Sequence, residues 1–379
     1  MQIDILYQIL EWIDFIIYFL FLCSVGYLFI FAVSSLKSHN YILRIIKKQY
    51  RFLIVFTADE IDERIHDSIN SFLNQTFPKS NFDIAIISKD ISESAKKGLL
   101  DSPVTLMKCH DNEHFRAEMI ESVIKEMESN YDIIVIMKHG NTVDSNFLEE
   151  INKSYYAGGM AIQTHRILID PKTNTGILNA ISEEINNSIF RRGHVRLGFS
   201  SGLIGSGMAF NYDWFNQNIG KVRKAGLTKE LEVLLLKQGV FIQYLEDVFT
   251  YDQRAGSLSA FSKQRHSWYT GKRRTRKDAA KDFPKALLAG NFDFCDKIFQ
   301  WLIPSKFILL FAMCMITLFL IIVEWPLSIK WFILLILLVL VFDLATPAKF
   351  RNLRSIGAMM AFPILFLSTL VNTLRIRLR

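Results

Sequence analysis

The sequence predicts an α/β domain, with a mostly parallel sheet and crossover helices, flanked by transmembrane helices. Two observations lead there. Apolar residues make up 50% of the 379-residue chain, and they are gathered in Asp14–Leu36 and after Phe299, which calls for a membrane explanation. Between these blocks, residues 51–281 form a normal globular mixture in which short apolar runs alternate with segments of helical periodicity. That block is large enough for one domain with its own core.

Phe15–Ser34 carries no charge and is long enough to cross a bilayer, for which about 20 apolar residues suffice. Asp4, Glu11 and Asp14 precede it and Lys37, Arg44, Lys47, Lys48 and Arg51 follow it, the reverse of a signal peptide. The positive-inside rule therefore places the N-terminus outside and the middle block in the cytosol. Two more spans are expected at about Leu302–Val323 and Leu327–Thr346, joined by Glu324-Trp325-Pro326, with basic residues putting both ends of the hairpin in the cytosol. The final apolar run, Ile356–Leu374, has arginines on both flanks and a central Pro363; it can span or lie in the interface. The chain thus divides into 1–48 (span and basic linker), 49–281 (cytosolic domain) and 282–379 (interfacial segment and spans).

Much of the net charge of +7 sits beside the membrane. Lys272, Arg273, Arg274, Arg276, Lys277, Lys281 and Lys285 form a juxtamembrane cluster suited to anionic headgroups, so membrane lipids are expected partners. Nucleic acid is not, because no recognised binding motif accompanies the cluster. Cys23, Cys109, Cys295 and Cys314 are scattered, which indicates neither a disulfide framework nor a zinc site.

Within the domain, Arg51–Thr57 reads as a buried strand. Ile61, Ile65, Ile69, Phe72 and Leu73 follow at helical spacing, and Pro78 ends that segment. Phe82–Ile87, Val104–Met107 and Asp132–Met137 read as further strands, with a helix over Glu113–Glu128. Parallel sheets of this kind bind ligands at the carboxyl ends of their strands, so the residues following Thr57, Ile87 and Met137 are the ones to inspect.

Those strand ends resemble glycosyltransferase family 2, the membrane-embedded processive synthases of cellulose, hyaluronan and chitin type. Phe56–Glu60 followed by Ile69–Pro78 resembles the family's opening strand, its Asn-Glu pair, here Asp59 and Glu60, and its first helix end. Tyr131–Met137 with Asn141–Leu148 resembles the strand leading into the DxD motif. Ser201–Phe210 is similar to the Gly-rich acceptor-side segment, and Glu246–Asp252 with Phe261–Trp268 and Gly271 to the strand and interfacial helix that carry QxxRW. The resemblance runs from about residue 50 to 346 and implies a GT-A-like fold.

It also implies a site from which the expected residues are missing. Transfer from a nucleotide-diphosphate sugar uses a divalent cation to neutralise the leaving group. The family's base-reading Asp is replaced by Lys89, and its DxD by Lys138-His139-Gly140. No metal site is expected, since His139 alone cannot make one, and no cofactor; magnesium or manganese with a UDP-sugar is expected only of a working transferase. Thr228–Glu232 resembles the segment bearing the general base, with Glu230 nearest the base position and Lys229 replacing the preceding acid. Glu230 can equally be an acid favoured in a helix's first turn. Of QxxRW, Gln264 and Trp268 are kept but Ser267 replaces the Arg; these residues can line an acceptor path or form an amphipathic face on the membrane. Gly205, Ser206 and Gly207 can admit an acceptor sugar or mark an ordinary bend. His110 and His114 lack a third ligand, and Arg116 stands where the family has a lysine.

Loss at three places that contact the diphosphate implies a catalytically degenerate subunit of cell-envelope or exopolysaccharide assembly in the bacterial inner membrane. Such a subunit would work beside an active synthase or export partner and a polysaccharide acceptor. An active, metal-independent transferase with a nucleotide- or lipid-linked donor is the alternative. A third reading is a channel component guiding a partner's polymer.

Overall fold

The computed structural model describes residues 2–37, 48–99, 102–108, 116–127, 130–169, 171–222, 226–252, 275–364, 366–367 and 370–371. In chain order the strands are β1 Phe52–Ile61, β2 Phe82–Ile91, β3 Thr105–Lys108, β4 Ile133–Lys138, β5 Asn141–Val143, β6 Ala161–Leu168, β7 Met208–Asn211 and β8 Ile242–Asp252. The domain's helices are α1 Gln2–Ser35, α2 Arg64–Leu73, α3 Glu93–Leu99, α4 Arg116–Glu126, α5 Phe147–Tyr156, α6 Asn174–Asn187, α7 His194–Arg196, α8 Tyr212–Ile219 and α9 Leu227–Lys237. After them come α10 (275–288), α11 Phe292–Leu302, α12 Lys306–Val323, α13 Trp325–Ala345 and α14 Leu353–Ala358.

One eight-stranded sheet runs in the order β3-β2-β1-β4-β7-β6-β8-β5. Its first half is parallel, as the alternation of strands and helices predicts: β1 pairs with β2 from Phe52↔Phe82 and with β4 from Phe52↔Ile133. β7 enters antiparallel to both β4 and β6, and β6 runs parallel to β8. β1 is apolar on both faces because both are covered. Leu53 and Val55 pack with α4, α8 and α9, while Phe52, Ile54 and Phe56 pack with α2 and α5. The strands also run on past their apolar cores: β1 reaches Ile61 rather than Thr57, and β2 reaches Ile91 rather than Ile87. Backbone pairing continues through Ala58↔Ser88 and Glu60↔Asp90, where side-chain polarity no longer signals a strand.

Among the described residues, three helices are long and apolar enough to cross a membrane: Gln8–Ser35, Lys306–Val323 and Trp325–Ala345. The second begins at Lys306 rather than at Leu302, because Leu302 closes the separate helix α11. The joint between the last two shrinks to Glu324, since Trp325 and Pro326 open α13, where proline's missing N–H costs nothing. The expected boundary at 281–282 falls inside α10. Of the final apolar run, Leu353–Ile364 is a shorter apolar helix, and Ala358 and Ala361 pack on Ile177, Leu178 and Phe307. Within the spans Asp14 takes hydrogen bonds from Lys330 and from Trp331 Nε1 (2.8 Å), so neither charge enters hydrocarbon alone.

The span α1 is built into the domain. A π-helical turn, Ser188–Gly193, continues α6 and lies against α1. Gly193 lets the two backbones meet, because a Cβ there would lie well inside van der Waals contact distance of the Phe31 carbonyl oxygen. One residue on, His194 is fully buried and stacks on Phe31 with ring centres 3.7 Å apart. Its Nδ1 donates to the Ile189 carbonyl (2.7 Å), and Nε2 lies 2.8 Å from Tyr27 Oη and 3.3 Å from Asp296 Oδ2. Tyr27 donates to the other Asp296 oxygen (2.8 Å). Burial works against the Asp296 carboxylate, yet His194 outweighs it and holds its pKa below the ordinary carboxylate range.

Gly193→Ala therefore forces α1 off the domain and is expected to cost about 1–3 kcal/mol. Gly26→Ala, with no atom within 4 Å of its Cβ, should be neutral; equal thermal unfolding of the two variants in detergent would contradict the docking. A second outcome concerns Glu184, which accepts from His165 Nε2 and from Lys349. Burial raises its pKa, but those two partners prevail and bring it from 4.5 down to about 2. A depressed pKa adds stability above pH 4.5 that is lost as pH falls towards 2. Glu184→Gln should flatten that acid limb of the unfolding profile, read by circular dichroism.

Candidate functional site

The carboxyl ends of β1, β2 and β4 open on one edge of the sheet, and their parallel register sets Thr57 between Ile87 and Lys138. Lys138 ends β4. Its N–H donates to Ser206 Oγ (3.1 Å), which in turn donates to Asn141 Oδ1 (3.1 Å). Gly140 turns with φ of 74°, in the left-handed region that favours glycine, and its N–H donates to Ser68 of α2 (2.9 Å). The Lys138–Gly140 segment is thus fixed through its backbone N–H groups.

The Gly-rich segment closes the other side. Gln163, fully buried in β6, accepts from Ile204 N–H (2.9 Å) and donates to the Ser206 carbonyl (3.0 Å). Ser206 is itself fully buried, so its hydroxyl shapes the loop. Gly207 has φ of 63°, and a Cβ there would collide with the Thr164 and Thr250 hydroxyls. Gly205 is buried between two elements. A Cβ on it would lie 2.8 Å from Thr228 Oγ1 and 3.6 Å from Lys138 Nζ. One glycine therefore brings together the end of β4 and the start of α9, where Glu230 sits half-buried in the first turn. Of the residues singled out in the sequence, Lys138, Gly205 and the α9 start meet there.

Lys229 does not join them. It is buried, and its ammonium reaches Glu232 Oε2 at 2.5 Å, while Lys297 of α11 approaches Oε1 at 3.1 Å. Burial lowers the Lys229 pKa; it would raise that of Glu232, but the two ammonium groups overcome this and keep the carboxylate ionised. Lys89 and Asp90 end β2 exposed, and Glu60 is exposed opposite Asp90. Asp59 lies within β1, and Arg116 opens α4. Gln264, Ser267, Trp268, His110 and His114 lie outside the described residues. Among the described residues, no cluster of three or more His, Cys, Asp or Glu side chains is placed to hold a metal.

The sequence reading passed over Asp62 and Arg64, just beyond β1. Arg64 grips Asp62 through Nε (2.9 Å) and Nη2 (2.5 Å), and those hydrogen bonds hold the Asp62 pKa below its usual range. His139 Nε2 stands 3.9 Å from the same carboxylate, and the Arg64 side chain lies over Gly140. Their position at a strand's carboxyl end was the available signal. The end of β4 therefore places Lys138 by Gly205, while Arg64 and His139 are set against Asp62.

No curated protein matches the chain at the sequence level. Among solved structures, the mannosyltransferase PcManGT from Pyrobaculum calidifontis, in complex with GDP-Man and Mn2+, is similar at 11% identity and a TM-score of 0.55, over 95% of this chain and 98% of that one. TarS 1–349 from S. aureus, in complex with UDP-GlcNAc, aligns at 10% identity and a TM-score of 0.45, over 84% of this chain and 90% of that one. A family profile described as glycosyl transferase family group 2 matches residues 133–344. That segment carries Lys138, the Gly-rich loop, α9 and two of the spans, it is more than half of the sequence, and the chain belongs to glycosyl transferase family group 2.

Proposed function

We propose that the protein is a membrane-bound subunit of cell-envelope or exopolysaccharide assembly whose own donor site is degenerate, and that it works beside an active synthase. In this reading it lies in the bacterial inner membrane, with its N-terminus outside and the glycosyltransferase domain in the cytosol. The observation that carries it is the end of β4. The position from which a metal-holding carboxylate would face a nucleotide diphosphate is occupied by Lys138, whose ammonium lies by Gly205, and Gly140 is committed to a left-handed turn. The mannosyltransferase of similar fold is described with GDP-Man and Mn2+; a manganese ion beside Lys138 would meet an ammonium instead of a carboxylate.

The basic side chains Lys138 and Arg64 at this end of the sheet favour one second reading. Lys138, His139 and Arg64 could neutralise a diphosphate leaving group without a metal, while Glu230 takes the proton from the acceptor hydroxyl. The leaving diphosphate would depart with the electron pair of the broken glycosidic C–O bond.

Calorimetric titration of the full chain with UDP, UDP-sugars and GDP-mannose, with and without manganese, separates these. The degenerate reading expects no detectable binding at concentrations that saturate an intact family member. Micromolar manganese-dependent affinity would sink it, and manganese-independent binding with sugar transfer would establish the second reading in its place. Restoring carboxylates and the arginine together (Lys89→Asp, Lys138→Asp, Gly140→Asp, Ser267→Arg) should yield a folded protein without useful turnover. Aspartate at Gly140 must adopt the left-handed region, costing on the order of 1 kcal/mol, and the Ser68 and Ser206 hydrogen bonds hold a backbone rather than a metal shell. Turnover near an ordinary enzyme rate of about 10 per second in a sugar-release assay would refute this.

A further inference from the structure

At the foot of the spans, α10 and α11 border a groove of about 430 Å3 walled by Phe199, Phe283, Phe292, Ile298, Phe299 and Leu302, with Cys295 and Asp296 completing it. That volume lies within the roughly 300–1,000 Å3 typical of small-molecule sites. Asp296 is its single charged lining group, and its two oxygens are turned to Tyr27 and His194, so the surface left facing the groove is hydrocarbon. A ligand that fits must be apolar over the part that enters.

Its surroundings identify which apolar ligand is at hand. α11 ends at Leu302 and the span α12 starts at Lys306, and the Phe299 ring packs 5.1 Å from Tyr27 of the span α1. With those spans in a bilayer, the groove opens where acyl chains meet headgroups. Leu288 is 90% exposed and Phe292 64% exposed, which extends the apolar rim along α10 and α11. The helix that contributes Phe283 also exposes Lys277, Lys281 and Lys285, and Lys272, Arg273 and Arg274 precede it in the sequence. By helical spacing these lysines stand on the outward face of α10, turned away from Phe283, and an apolar slot beside two spans, backed by a cationic helix face, matches a chain that carries a negative head.

We propose that this groove holds one acyl chain of an anionic phospholipid, with its phosphate headgroup reaching past α10 to the lysines of its outward face. The site is separate from the sugar-transfer cleft and does not depend on whether that cleft is active. A seated chain would steady α11, whose Asp296 faces the span α1 and whose Lys297 faces α9.

The test is photo-cross-linking of the full chain in phosphatidylcholine vesicles containing phosphatidylglycerol with a diazirine on its acyl chain, followed by peptide mapping. Adducts are expected within residues 283–302 as well as on the spans, and phosphatidylglycerol should label 283–302 roughly five-fold better than a phosphatidylcholine probe, the discrimination one lysine provides beside an anionic surface. Cys295→Trp, which fills the groove, should abolish those adducts while labelling of the spans persists. The exposed triple variant Lys277→Gln, Lys281→Gln, Lys285→Gln leaves the core untouched and should erase the phosphatidylglycerol preference. Labelling confined to residues 8–35 and 306–345 would overturn the site, and equal labelling by the two probes would overturn its anionic selectivity.

Discussion

The contact on which the rest of the molecule leans is the meeting of α1 with the π-helical turn, where Gly193 reaches the Phe31 carbonyl and His194 stacks on the Phe31 ring. A π turn inserts one residue into a helix and rotates the side chains beyond it. Here it turns Arg191, Arg192 and His194 towards three different partners: Glu183, Glu246 and Asp296. Without the span in place, a fully buried imidazole and the carboxylate beside it would face water or lipid. The membrane helix thus completes the domain's interior.

From that seam, two adjacent residues of α11 lead in opposite directions. Asp296 faces Tyr27 and His194, and Lys297 faces Glu232 on α9, two residues beyond Glu230. Glu232 is enclosed with two ammonium groups in a region shut off from solvent. Burying three charges together is costly, and removing a single partner from such a group commonly costs about 3–5 kcal/mol. The helix that starts at the cleft is therefore held to the membrane-side helix by a polar link that tolerates little repositioning.

Much of this was legible in the sequence. The strands β1 and β4 announce themselves because both faces are buried and every residue of their cores is apolar, β2 does so with Asp83 as its one interruption, and the spans do so by length. The site was legible at Lys138 and the Gly-rich loop, which sit where parallel sheets place their ligands. The sequence was silent where the cause is tertiary. Nothing in Asp62-Glu63-Arg64 distinguishes a cleft pair from a solvated turn until His139 and Gly140 are brought against it. In the sequence Lys229 stands only as a replacement for an acid, and its burial with Glu232 depends on Lys297, which lies in a different part of the chain. The ends of β1 and β2 were missed because Asp59, Glu60, Ser88, Lys89 and Asp90 interrupt the apolar pattern before the final Ile61↔Ile91 pair.

The Tyr27–His194 contact joins residues 167 apart, and the Tyr27–Asp296 contact residues 269 apart. A ribosome delivers α1 long before either partner, so that helix can enter the bilayer while the sheet is still unsynthesised. With α1 inserted first, the soluble-looking half would be assembled against a surface already held in lipid. Insertion and folding are in this sense one process: a mutation that delays the entry of the first helix leaves a finished sheet with an open seam, and the defect would surface as aggregation of the domain rather than as failed anchoring.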